Sequence, residues 1–153
     1  MNEARPTVLV SACLLGIRCR YDGSTNPAGE LDALLEGKHV VAICPEEMGS
    51  LPTPRPAAQL HGGSAADVLD GKAIVRTHQG NDVTAEFLQG AQQVARIAAE
   101  MGAQTAILKE RSPSCGVCCV HRDGQLVEGR GVAAEALARM GVQLTSLDPP
   151  KQR

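Results

Sequence analysis

Three cysteines of this chain stand where a protein could bind a metal: Cys13, Cys44 and Cys115. Each soon follows a short apolar run that is typical of a buried strand. Because the carboxyl ends of parallel strands meet at one edge of a sheet, we expect the three thiols to converge there. One such cysteine would be read simply as a small buried apolar residue. Three at equivalent strand ends, each beside Gly, Pro or Ser, indicate a set of metal ligands.

Thiolate ligands are typical of both zinc and iron–sulfur clusters. A structural zinc site usually has two Cys-x-x-Cys pairs, and here only Cys115 and Cys118 have that spacing. Three thiolates favour an iron–sulfur cluster with one iron not bound by the protein, which can act as a Lewis acid. Three alternatives stay open. Cys118 or Cys119 could close the cluster, the thiols could form a non-catalytic zinc site, or Cys115 and Cys118 could serve a thiol redox protein.

Further reactive groups lie in the loop that follows the apolar run Ala106-Ile107-Leu108. Lys109 could neutralise an anionic cluster or orient a substrate, or it could simply face solvent at the strand end. Ser112 supplies a hydroxyl three residues before Cys115. The serines, proline and glycine around that cysteine indicate a backbone held in one shape. Glu110 and Arg111 are expected to face solvent.

The elements around these residues predict a single α/β domain. At 153 residues the chain can bury roughly 68–70% of the surface that its unfolded form exposes. His39–Ile43 reads as a buried strand, and the longest helix carries apolar residues on one face until Gly102. Val120–Val127 reads as a hairpin, Ala73–Arg76 as a strand at an edge, and the proline-rich stretch 48–56 as a stiff loop without helix. The predicted domain spans residues 1–147, and 148–153 form a flexible tail.

Composition excludes several classes of protein. The chain has 15 basic and 17 acidic residues and only two aromatic ones, Tyr21 and Phe87, so we predict no nucleic acid polymer as partner. The apolar segment before Cys13 is too short for a signal peptide or a membrane span. Six cysteines in a domain with an ordinary core indicate reduced thiols, and we predict a cytoplasmic protein. Oligomeric state is not predicted.

Other polar residues are candidates for substrate binding. Arg20, Tyr21 and Asp22 could line a pocket, where Tyr21 would offer a flat apolar partner for a planar ring, or they could form an ordinary turn. Arg55 could contact a carbonyl or a phosphate, or it could brace its own loop by bonding backbone carbonyls. The Gly-x-Gly-x-x-Ala pattern of residues 129–134 favours a close-packed turn over a dinucleotide site.

The order of the motifs along nearly the whole chain resembles one protein family. The motifs are Ser11-Ala12-Cys13-Leu14-Leu15-Gly16, Cys19-Arg20-Tyr21-Asp22-Gly23, Cys44-Pro45-Glu46 with Gly49, Leu51-Pro52-Thr53-Pro54-Arg55, Asp82-Val83-Thr84, Leu108-Lys109 and Ser112-Pro113-Ser114-Cys115-Gly116. They resemble the bacterial DUF523 family, whose members include thiouracil desulfidases. The resemblance implies a Rossmann-like α/β fold with a mostly parallel sheet and flanking helices. It also implies a 4Fe-4S cluster held by Cys13, Cys44 and Cys115, with Cys19, Cys118 and Cys119 not serving as ligands.

The resemblance implies a reaction as well. The iron not bound by the protein would bind the thiocarbonyl sulfur of a small thio-base such as 2-thiouracil. The C–S bond would break without net redox change, and sulfur would leave as hydrosulfide while water supplies oxygen. We hypothesise that Glu46 activates the water and that Ser112 orients the substrate or relays a proton. Ser50 and Gln59 replace a glycine and an acidic residue that are common in the family, and we expect them to bear on substrate choice.

Overall fold

The computed structural model describes residues 5–23 and 30–147, so the predicted tail 148–153 lies outside the described residues. In chain order the elements are β1 (Thr7–Ser11), a 3-10 helix (Ala12–Leu15), α1 (Leu31–Leu35), β2 (His39–Ile43), α2 (Pro45–Met48), β3 (Ala58–His61), α3 (Ala65–Leu69), β4 (Ile74–Thr77), α4 (Thr84–Met101), β5 (Thr105–Lys109), β6 (Cys119–Arg122), β7 (Gln125–Glu128), α5 (Val132–Arg139) and β8 (Gln143–Leu147). They form two four-stranded sheets. None of the helices described is long and apolar enough to cross a membrane.

The first sheet has the strand order β2-β1-β5-β8, and all of its strands are parallel. Side chains alternate across β1, so Leu9 packs with α4 and α5 on one face. Val8 and Val10 pack with Leu31 of α1 on the other face. The predicted α/β, Rossmann-like class, with a parallel sheet and flanking helices, is confirmed.

The strand β2 lies at the edge of this sheet and is less buried than predicted. His39, Val40 and Ala42 are exposed, and only Ile43 is fully buried. The prediction of a buried strand was therefore right in its bounds and wrong in its burial. An apolar run of five residues cannot by itself distinguish a central strand from an edge strand.

The second sheet has the order β4-β3-β6-β7 and was not predicted as a sheet. Its hairpin, β6 and β7, turns at Asp123 and Gly124, and β4 lies at an edge, so both of those predictions are confirmed. The helices α4 and α5 contribute apolar residues to the cores of both sheets. The helix α3 was missed, although the capping box formed by Ser64 and Asp67 is a sequence signal for its start.

Two helix starts are fixed by contacts with distant parts of the chain. Thr84 begins α4, and its Oγ1 accepts a hydrogen bond of 2.9 Å from the backbone N–H of Val75 in β4. Gly131 precedes α5, and a Cβ atom there would lie 2.4 Å from the carbonyl carbon of Ser114. The Gly-x-Gly-x-x-Ala segment is thus a close-packed turn, as predicted, because only glycine fits this approach.

Candidate functional site

The structure brings the three predicted cysteines to one cavity of about 380 Å³ at the carboxyl ends of β1, β2 and β5. Cys13 lies in the 3-10 helix that follows β1. Cys44 occupies the N-cap position of α2. Cys115 follows β5 in the next loop and is buried. Three loops at one edge of the parallel sheet therefore supply thiols to a shared space.

A fourth cysteine, which motif spacing did not single out, belongs to the same cluster. Cys19 is 3% exposed and packs with Cys13 and Cys44. Its hydrogen bond with Cys13 raises the pKa of Cys19 to about 11, and its hydrogen bond with Cys44, followed by burial, raises the pKa of Cys44. Burial raises the pKa of Cys115 to about 12. Cys44 and Cys115 would each lose a proton on binding a metal as thiolates.

The predicted ligand thiols border the cavity. Within residues 5–23 and 30–147, no group of three His, Cys, Asp or Glu side chains is gathered closely enough for one ion. The three thiols instead stand around a cavity of about 380 Å³. Cys118 and Cys119 do not border the cavity.

The carboxylate of Glu46 is held at both of its oxygens. Arg55 Nε donates to Oε1 at 2.8 Å, and the side chains of Arg55 and Glu46 are 5% and 13% exposed. Ser114 Oγ donates to Oε2 at 2.9 Å. Ser112 Oγ lies 3.0 Å from Ser114 Oγ, so Ser114 stands between the two predicted catalytic residues. Sequence reasoning missed Ser114, and only its place in the Ser-Pro-Ser-Cys motif pointed to it.

Glu46 is positioned by α2, a helix that was not predicted. Pro45 at its first position, acidic residues in its first turn and Gly49 after its end are signals that could have predicted it. The backbone of α2 lies directly against α4. A Cβ atom on Gly90 would be 2.0 Å from the carbonyl oxygen of Pro45. The missing side chain of Gly90 therefore sets how close α2, and with it Glu46, can approach α4.

Arg55 braces the loops around the cavity. Its Nη1 donates to the carbonyl of Pro52 at 3.2 Å, and its Nη2 donates to the carbonyl of Cys19 at 2.9 Å. Burial would lower the pKa of Arg55, but the charge of Glu46 outweighs it and the pKa is raised. Of the two interpretations of Arg55, the bracing role is the one that these contacts support, although its side chain also lines the cavity.

Glu110 and Arg111 do not face solvent as expected. Glu110 is 7% exposed, and its Oε1 accepts hydrogen bonds from the backbone N–H groups of residues 117–119 at 2.8 to 3.0 Å. Burial opposes ionisation, but these N–H groups prevail and the pKa of Glu110 is lowered. Arg111 is half-buried at a positive φ of 68° and lines the cavity. A carboxylate in the interior therefore organises the loop after Cys115.

The predicted substrate-binding residues divide into two groups. Arg20, Tyr21 and Lys109 line the cavity, as Arg55 does. The guanidinium of Arg20 lies 5.9 Å from the centre of the Tyr21 ring, and Lys109 Nζ donates to the carbonyl of Glu110 at 2.8 Å. Asp22 is exposed and lies outside the cavity wall.

The two departures from the family pattern also lie outside the wall. Ser50 takes a positive φ of 75°, a conformation that suits the glycine common in the family. Gln59 accepts a hydrogen bond from the backbone N–H of Gly124 at 2.6 Å, in the turn of the hairpin. Ser50 Oγ accepts a hydrogen bond of 3.4 Å from Gln89 Nε2, and neither Ser50 nor Gln59 borders the cavity.

Three similarities to known proteins agree with this geometry. A family model described as 2-thiouracil desulfurase matches residues 8–148. The chain is 40% identical over 142 residues to the uncharacterized protein YbbK of Bacillus subtilis. The aligned region covers 91% of this chain and 94% of that protein. The solved structure of the 4Fe-4S-dependent thiouracil desulfidase TudS matches with a TM-score of 0.79 and 39% identity, over 93% of this chain and 91% of that one. The resemblance that the motifs indicated is thereby confirmed, and the chain belongs to the 2-thiouracil desulfurase family.

Proposed function

We propose that this protein is a 4Fe-4S-dependent desulfidase. It converts a small thiocarbonyl substrate such as 2-thiouracil and one water into the oxo compound and hydrosulfide, without net redox change. The observation that carries the proposal is the meeting of Cys13, Cys44 and Cys115 at one cavity beside Glu46. Membership of the 2-thiouracil desulfurase family and the match to TudS support it.

The three cysteines would hold the cluster, and one iron would have no protein ligand. When bound, such a cluster supplies a Lewis acid for the thiocarbonyl sulfur. The donor set fits, because thiolate sulfur is the ligand that iron–sulfur clusters take and the cavity wall holds Cys13, Cys44 and Cys115 together with a fourth cysteine, Cys19. Lys109 and Arg20, also in the wall, place positive charge where an anionic cluster or a polar substrate would lie.

The remaining steps belong to residues of the chain. Glu46 accepts the proton of the attacking water, and Arg55 holds its carboxylate in place through the contact at Oε1. Ser112 orients the substrate or passes the proton. Tyr21 offers an apolar surface for a planar ring at the cavity wall. Asp22 is omitted from the proposed site because it does not border the cavity.

The test begins with protein purified without oxygen. We expect about four iron and four sulfide per chain, as a 4Fe-4S cluster requires. Serine variants of Cys13, Cys44 and Cys115 should each lose cluster, whereas Cys118→Ser should keep it because Cys118 is exposed and outside the cavity. Incubation with 2-thiouracil should then release sulfide and uracil in equal amounts.

Two results would overturn the proposal in different ways. A colourless protein with one zinc per chain would refute the proposed cluster and favour a structural zinc site. A protein with a full cluster that releases no sulfide from 2-thiouracil or 4-thiouracil would refute the proposed reaction and favour an electron carrier.

A further inference from the structure

We infer that Ser114 is a positioning residue that joins Glu46 and Ser112 into one directed chain of hydrogen bonds. The inference rests on the proposed desulfidase function, because it assigns Ser114 a part in that reaction. Ser114 is 3% exposed, lines the cavity and immediately precedes Cys115. Its hydroxyl reaches both of the groups to which the reaction assigns proton transfer.

The direction of the chain follows from counting donors and lone pairs. Ser112 Oγ accepts hydrogen bonds from the backbone N–H groups of Ser114 at 3.1 Å and Cys115 at 3.0 Å. A hydroxyl oxygen has two acceptor lone pairs, so both are occupied and Ser112 can only donate to Ser114. The single proton of Ser114 has two acceptors within reach, Oε2 of Glu46 at 2.9 Å and Sγ of Cys115 at 3.8 Å, and it goes to the carboxylate oxygen because that oxygen is closer and sulfur is a weak acceptor. The order of donation is therefore Ser112 to Ser114 to Glu46.

The surroundings hold the backbone of Ser114 in place. Its carbonyl accepts from the backbone N–H of Ala134 in the first turn of α5 at 3.0 Å. The α-carbon of Gly131 packs so closely that a Cβ atom there would lie 2.6 Å from the carbonyl oxygen of Ser114. Glu46 is fixed from its other side by Arg55. Both ends of the Ser114–Glu46 contact are thus held by buried groups.

These linked hydrogen bonds give the proton of the attacking water a route to Glu46. Ser114 passes its proton to Glu46 while Ser112 passes its own proton to Ser114, which frees a lone pair on Ser112 Oγ, and the attacking water gives its proton to that oxygen. Both hydroxyls are restored and Glu46 becomes neutral. The hydroxide left by the water adds to the thiocarbonyl carbon as the C=S π electron pair moves to sulfur. The two backbone N–H groups on Ser112 stabilise the charge that builds on its oxygen during the transfer.

The first test is a double-mutant cycle on cluster-loaded enzyme, with 2-thiouracil as substrate. We expect Ser114→Ala and Ser112→Ala each to lower kcat by about 100-fold, the lower range for a lost proton-transfer group, with KM nearly unchanged. The double variant should lose little more, because residues that act as one unit are not additive. Ser64→Ala removes a serine hydroxyl at the start of α3, outside the cavity, and should leave kcat unchanged.

A second measurement uses only the wild-type enzyme, in case Ser114→Ala loses its cluster. The single-turnover rate in mixtures of H2O and D2O should curve with deuterium content, because more than one proton moves. Three results would each overturn the inference. They are a linear dependence of the single-turnover rate on deuterium content, a Ser114→Ala kcat within about threefold of wild type, and a double-variant kcat lowered by the product of the two single losses. Wild-type enzyme that carries cluster but releases no sulfide would refute the proposed function itself.

Discussion

A methyl group at Gly90 tests how closely the site depends on the contact between α2 and α4. In Gly90→Ala the new Cβ would lie 2.0 Å from the carbonyl oxygen of Pro45 and 2.9 Å from its carbon. Ordinary van der Waals contact begins near 3.4 Å, so α2 must withdraw by about 1.4 Å. Glu46 follows Pro45 directly and moves with it. A misplacement of about 1 Å can cost about 100-fold in rate, and we expect kcat for sulfide release to fall by that factor.

The same substitution should also lower the stability of the fold, because the Cβ meets backbone atoms of α2. Alanine in a helix interior is favoured over glycine by about 1 kcal/mol, and overpacking costs about 1–3 kcal/mol or more. The free energy of unfolding should therefore fall by about 2 kcal/mol, which urea titration measures. Gln92→Ala, on the exposed face of α4, is the matched control and should change neither quantity. A Gly90→Ala enzyme with normal iron content and a kcat within threefold of wild type would refute this reasoning.

Three further substitutions test other features. Glu46→Gln should lower kcat by about 100-fold or more at unchanged iron content, whereas Glu47→Gln, on the exposed side of α2, should not; equal kcat values for the two variants would contradict the role of Glu46. Glu110→Gln should lower the free energy of unfolding by about 1–3 kcal/mol at pH 7. Because the pKa of Glu110 is lowered in the folded protein, this difference from wild type should shrink as pH falls below about 4.3, the usual value; a constant difference down to pH 3 would argue against it. Ser50→Gly should raise the free energy of unfolding by about 0.5–1 kcal/mol by relieving the positive φ, and Ser50→Ala should not.

The placement of the three cysteines could be predicted because it depends on local patterns. A parallel strand leaves an apolar run in the sequence, and the loop after it must lie at the carboxyl edge of the sheet. Once β1, β2 and β5 are neighbours, as the structure has them, their ends bring Cys13, Cys44 and Cys115 together. The same reasoning could not place β2 at the edge, because strand order depends on contacts between distant residues.

The hydrogen bonds of the site could not be predicted for the same reason. Ser114 and Glu46 are 68 residues apart, and their contact depends on how α2 packs on α4. Glu110 was assigned to solvent because a charged residue after a strand is usually exposed. It is buried because four backbone N–H groups converge on one of its oxygens, an arrangement that no sequence pattern reports.

The start of α5 has a consequence for the opening motions of the protein. The backbone N–H groups of Gly131, Val132 and Ala134 bond to carbonyls of residues 113–116, in the loop that carries Cys115, at 2.8 to 3.0 Å. The first turn of α5 and this loop therefore cannot unfold separately without breaking these bonds. In amide hydrogen exchange we expect the three N–H groups to exchange together, with one opening free energy. Release of the Cys115 thiol and fraying of α5 would then be a single event.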